Sequence, residues 1–324
     1  MTSGSPSGSN RYSAVAFCLT LWACPIAGQG TPATVLGRYL LVASEGLYVV
    51  EPNGRASWSY HPAPYGQQVR AMEDDIIYDG LALPGDHYVL ATHRYIREID
   101  RDKHTVWEYR VTAPVEVKSG VVLANGRIAV LNSQEQSILE LDPRTGKVFG
   151  RISVPAKGTD HTRYMLVRRT PEGNYIVALR AEQRFVEVAP DGHVVHSFPV
   201  PDLPVMAQRL ADGSTLATGR FGVMKLDADW KNTWSLTPAE AAARFPLLIA
   251  WGVTELADHL LVVANSDWHL ARKDENRVQF FAIDAANKIT WTMPATIFKD
   301  WKRSEMEPRT GFTEHRSVLV QPLR

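Results

Sequence analysis

Apolar and polar residues alternate at period two through most of the chain, in a unit that recurs six times. Each copy has an apolar strand, a polar turn and a second strand with a bulky residue: YVVEPNGRASWSY, REIDRDKHTVWEY, LELDPRTGKVFGR, VEVAPDGHVVHSF, MKLDADWKNTWSL and FAIDAANKITWTM. The turns open at Glu51, Asp100, Asp142, Ala189, Asp227 and Asp284. The bulky residues are Trp58, Trp107, Phe149, His196, Trp234 and Trp291, 7 positions later in every copy. A second hairpin lies upstream in ALPGDHYVLA, LANGRIAVL, TPEGNYIVAL, LADGSTLAT and LADHLLVVA, where Gly, Asn and Asp supply the positive φ of tight turns. Period two excludes helical repeats. Four strands per unit, spaced by about 47 residues, predict the blades of an all-β propeller.

The first copy starts at Tyr39 and lacks an innermost strand, whereas HRSVLVQPL at 315–323 is an apolar strand without partners. The economical closure pairs this C-terminal strand with the first blade, removing two exposed sheet edges. The count is then six four-stranded antiparallel blades in a single domain, 39–324. A seventh would have to come from the weakly patterned stretch 294–312.

These repeats resemble the blades of PQQ-like and arylsulfotransferase-like propellers over roughly residues 39–293. The resemblance rests on Asp100 with Trp107, Asp142 with Gly146 and Lys147, and Asp284 with Trp291. It implies the fold and no catalytic residue. Quinoprotein blades carry the Trp one residue later, where the third copy has Gly150, so quinone binding is not implied. The histidine motif of arylsulfotransferases is not found.

Charge changes the picture by exclusion. Thirty-five Lys+Arg balance 35 Asp+Glu, so the basic surplus of a phosphate-binding nucleic-acid partner is missing. Residues 1–28 read as a signal peptide: a polar start, Arg11, an apolar stretch Ala14–Ala27 too short to span a bilayer, and small residues before cleavage at Gly28. A linker, 29–38, follows. An exported protein, periplasmic or extracellular, is expected. The alternative is a lipid anchor at Cys24, with Leu21 and Ala23 matching a lipoprotein box and Trp22 departing from it. Only two Cys are present, Cys18 and Cys24, so no disulfide scaffold is expected. No later apolar run reaches membrane length.

Binding groups on a propeller concentrate on loops held by the rigid blades. Collecting the loops of one face assembles His93, Arg94, His161, Arg163, Arg180, Arg220, His269, His315 and Arg316 in a funnel, with Trp251 and Asp267 beside them. Guanidinium groups converging there suit carboxylate, sulfate or phosphate, and His93, His161 or His315 would exchange a proton. Trp251 would stack on a sugar or aryl ring, and Asp79 would orient an imidazole. Asp267 and His269 raise a metal alternative, but no HExxH-type motif exists and no metal is assigned; the cofactor is left open. Two insertions overhang this face: a short helix from Thr237 with Glu240 completing a capping box, and the charged stretch 297–312. The expected function is binding of an anionic small molecule or acidic saccharide; whether the protein is an enzyme is left open, lyase or group transfer being the chemistry the residues suit if it is. The alternative is a non-catalytic scaffold of the cell envelope.

Overall fold

The computed structural model describes residues 36–62, 75–256, 259–266, 278–284, 286–294 and 317–323. The signal peptide, the Cys24 anchor and the insertion 297–312 lie outside them. The described residues form six four-stranded antiparallel sheets. Blade 1 holds β1 (Tyr39–Ala43), β2 (Gly46–Val50) and β3 (Ala56–Tyr60). Blade 2 holds β4 (Asp79–Leu83), β5 (His87–Ala91), β6 (Tyr95–Ile99) and β7 (Thr105–Arg110). Blade 3 holds β8 (Gly120–Val122), β9 (Ile128–Asn132), β10 (Ser137–Leu141) and β11 (Val148–Ser153). Blade 4 runs β12 (Tyr164–Arg169), β13 (Tyr175–Leu179), β14 (Arg184–Val188) and β15 (Val194–Pro199). Blade 5 runs β16 (Pro204–Arg209), β17 (Thr215–Gly219), β18 (Gly222–Leu226) and β19 (Asn232–Leu236). Blade 6 runs β20 (Ile249–Glu255), β21 (Leu261–Ser266), β22 (Val278–Ile283) and β23 (Ile289–Pro294).

The last strand, β24 (Ser317–Pro322), pairs with β1 and becomes the innermost strand of blade 1, with Leu41 opposite Val320 and Val42 opposite Leu319. The ring is thus closed by the two ends of the domain. Blades 6 and 1 approach so closely that a Cβ on Gly252 would collide with the Val318 carbonyl.

The 7-residue register has a local cause. Between the third and fourth strands of every blade the pairing slips, at Val49/Val50, Glu98/Ile99, Glu140/Leu141, Glu187/Val188, Lys225/Leu226 and Ala282/Ile283. Each slip lies directly before the residue that opens the turn, and such bulges sharpen strand twist. Where that residue is Asp it caps the turn: Asp142 Oδ1 accepts from the N–H groups of Arg144 and Thr145 at 2.9 Å, and Asp284 Oδ1 from Lys288 at 2.8 Å.

At Trp58 and His196 the bulky residue packs on the neighbouring blade. Trp58 stacks on Tyr88 at 4.4 Å and donates to the Arg101 carbonyl at 2.6 Å, both in blade 2. His196 replaces the Trp in blade 4, its ring 5.6 Å from Trp230 of blade 5. Phe149 is exposed, under the Arg127 guanidinium at 3.7 Å. Both capped one-turn helices lie in connections between blades: α1 (Asp160–Arg163), capped by Thr159, and α2 (Pro238–Ala241), where Thr237 and Glu240 form the expected box.

Candidate functional site

Between blades 2 and 3 the chain from Val115 to Ser119 is irregular and threaded between two loops, and it turns tightly at Lys118, where the Ser119 N–H donates to the Val117 carbonyl. The Val117 N–H donates to the His93 carbonyl at 2.9 Å. Glu116 donates its N–H to Ser133 Oγ at 2.8 Å and accepts from the Ser133 N–H at 3.1 Å. Val117 is buried in the blade 2–3 core, while Glu116 and Lys118 meet on the side of the histidines.

These groups converge on His161, which α1 presents with its side chain 41% exposed. Its Nδ1 lies 3.2 Å from Glu116 Oε1. Lys118 Nζ lies 2.8 Å from Glu116 Oε2 and also donates to the backbone carbonyl of His161. Arg180, on the 3-10 turn Arg180–Glu182, reaches the same carbonyl at 3.4 Å. Behind them His93 is buried, its ring 5.2 Å from that of His161 and 4.3 Å from Tyr78.

Burial raises the Glu116 carboxyl, but the hydrogen bond from His161 and the Lys118 charge outweigh it and hold it down at about 2. Burial lowers Lys118 to about 8, against the pull of Glu116 and with repulsion from Arg180 and Arg94. Burial also lowers Arg180, as does the charge of Arg220. Arg180 has no carboxylate within 4.0 Å among the described residues. One carboxylate thus faces Lys118, Arg94 and Arg180. With Glu116 ionised, His161 Nδ1–H donates to it, so the neutral imidazole carries its lone pair on Nε2.

Donor atoms of His93, Glu116 and His161 lie within 4.8 Å of one another, close enough to form one face around a metal ion. The Lys118 ammonium already sits on that carboxylate, and Arg94 lies 3.9 Å from its other oxygen. Two more cations at this range oppose a divalent ion and favour an anion.

Several expected site residues are placed differently. Trp251 is 1% exposed within β20; its indole donates to the Tyr78 carbonyl at 3.0 Å, so it belongs to the wall and not to a stacking surface. Arg163 is turned inward, donating to the carbonyls of Ser133 at 2.6 Å, Gly158 at 2.8 Å and Ala156 at 3.1 Å. It holds the α1 loop and does not face a ligand. Asp79 orients no imidazole because Arg168 grips both its oxygens. Arg94 donates to the Val115 carbonyl at 2.7 Å and so braces the segment that carries Glu116. Arg220 lies at the rim, 3.6 Å from Asp202. Asp267, Trp268, His269, His315 and Arg316 lie outside the described residues.

Glu116 escaped the sequence reading because it stands in a connection that does not repeat. The available signal was the pair Glu116-x-Lys118 ahead of an inner strand, with Val115 and Val117 alternating against it.

A cavity of about 1340 Å³ opens at the opposite end of the blades between Arg38, Asp86, Glu255 and Gln321. Its one cation is already paired, Arg38 with Asp86 at 3.5 Å and Glu51 at 3.3 Å, and its remaining acids are Glu255, paired with His259 at 2.9 Å, and Asp284, which caps its own turn. Among the described residues no cation there is left to recognise an anion, unlike Arg180.

No family model and no curated protein matches the chain. Among solved structures it is similar to a protein of unknown function from Bacteroides caccae, with 18% identity over 89% of this chain and 98% of that one, at a TM-score of 0.69. It is also similar to virginiamycin B lyase from Staphylococcus aureus, with 13% identity over 80% of this chain and 84% of that one, at a TM-score of 0.53. A catalytically inactive histidine-to-alanine form of that lyase with quinupristin aligns at 12% identity over 81% and 86%, TM-score 0.54. At these identities the likeness is one of fold, a β-propeller.

Proposed function

We propose that this chain is an exported propeller of the PQQ-like or arylsulfotransferase-like kind that binds an anionic small molecule or acidic saccharide between Arg180 and Arg220. His161 exchanges a proton with the bound ligand. The observation that carries this reading is Arg180: partly desolvated, repelled by Arg220, without a carboxylate partner among the described residues, and 3.4 Å from the His161 carbonyl. Two guanidinium groups so placed bind carboxylate, sulfate or phosphate through charge-assisted hydrogen bonds. The His161 imidazole, on the residue whose carbonyl Arg180 reaches, suits removal of a C–H proton beside the acidic group, as in a lyase, or proton management in group transfer. The lyase among the structural neighbours gives precedent for such chemistry on this fold, by analogy only.

Thermal-shift screening against uronates, sulfated sugars, aryl sulfates and phosphate tests it. Specific anions should raise the melting temperature through preferential binding to the folded state. Arg180→Ala should abolish the shift, and His161→Ala should keep the shift while losing turnover. Failure of every anion to stabilise the protein would refute the reading.

One observation favours a second, scaffold reading. Val148 and Phe149 on β11, and Val194 and Val195 on β15, are exposed apolar side chains on outer strands. Under that reading, partner capture survives His161→Ala and fails with Phe149→Asp.

A further inference from the structure

We propose that Lys118 is the positioning residue of this site: its ammonium pins His161 at two points, through the Glu116 carboxylate that meets the imidazole and through the backbone carbonyl of His161 itself. The proposal rests on the reading of His161 as the proton-exchanging group.

The argument starts from α1. A helix of 4 residues cannot hold itself together, since nucleation costs more than one turn returns. The orientation of His161 must come from outside contacts. Thr159 caps the start of the turn, and Lys118 and Arg180 take up the His161 carbonyl. Among the described residues, Lys118 alone binds both this carbonyl and the carboxylate that faces the ring.

Lys118 is 4% exposed, so its ammonium does not reach a ligand in the funnel. A buried Lys–Glu pair is a weak source of stability, because desolvating two charges offsets most of their attraction. An apolar pair of similar volume would serve the core as well. What the pair does supply is geometry. The Glu116 oxygen that meets His161 also lies 3.9 Å from Arg94 Nη1. Without Lys118 on its other oxygen, the carboxylate is free to rotate toward Arg94 and release the imidazole. Lys118 therefore keeps the hydrogen bond on Nδ1 and leaves Nε2 facing the funnel.

Proton NMR of the full chain tests this without any ligand. A low-field Nδ1–H resonance that disappears in His161→Ala identifies the bond to Glu116. The signal should vanish in Glu116→Gln and in Lys118→Met, with the fold verified by circular dichroism. In Lys118→Ala it should be absent and return when propylammonium fills the vacated space. If Lys118→Met fails to fold, the amine-dependent signal in Lys118→Ala decides. A resonance that persists unchanged in the Lys118 variants overturns the proposal. That outcome leaves the anion-dependent thermal shift standing, so the two readings fail separately.

Discussion

Asp79 in blade 2 and Arg168 in blade 4 form a bidentate ion pair across blade 3, at 2.7 and 2.8 Å. Ser119, just before β8, donates to the same carboxylate at 2.6 Å. β8, the strand that lies between them, has only 3 residues. Both charges are largely buried, so removing one partner strands the other. Arg168→Leu should cost about 3–5 kcal/mol of stability, read from denaturant unfolding. The double variant Asp79→Leu with Arg168→Leu should recover much of that loss.

His161 is exposed and its turn is held by backbone contacts. His161→Ala should therefore change stability by no more than about 1 kcal/mol. Turnover of any substrate found by the anion screen should fall by about 10²–10⁴-fold. Steady-state kinetics beside a melting curve separates the two effects.

Acid should weaken the fold through Glu116. Its folded pKa, about 2, lies below its ordinary value of 4.5, so its stabilisation is complete above that value and fades as pH falls toward 2. Lys118 has the opposite consequence. Its folded pKa, about 8, lies below the ordinary 10.5, so the folded state binds fewer protons between those values and stability rises across that window. The stability difference between wild type and Lys118→Met, measured by urea unfolding at successive pH values, should change from pH 8 to 10.5, be flat between about pH 5 and 8, and change again below 4.5, where Glu116 loses the Lys118 charge that helps hold it down.

Lys118 also stands where a metal would compete. Zinc should leave the wild-type melting temperature unchanged. Lys118→Ala exposes the His93, Glu116 and His161 donors and should gain a zinc-dependent rise, by preferential binding of the folded state. Equal zinc responses in the two proteins would contradict the charge argument made for this site.

The propeller was legible because its blades repeat a constrained event: a register slip followed by an Asp-capped turn leaves the same 7-residue interval in sequence. The funnel was legible in part. Loop position alone brought His93, His161 and Arg180 to one neighbourhood, since the blade topology dictates which end of a strand each loop occupies. Loop position does not tell which way a side chain turns. Arg163 sits beside His161 yet folds back on three carbonyls, and Trp251 fills the wall behind Tyr78. Glu116 was illegible for another reason: no repeat predicts the path of a connection between blades, and its alignment comes from Ser133 and from the His93 carbonyl that Val117 engages.

The pairing of β24 with β1 sets the order of events when a ribosome makes this chain. Residues 39–43 emerge early, but their inner hydrogen-bonding edge stays unsatisfied until residues 317–322 are available. Nearly the whole domain must be synthesised while that edge is open to any passing strand, the kind of exposed edge that invites wrong pairing. Pairing strands so distant along the chain also makes folding slow.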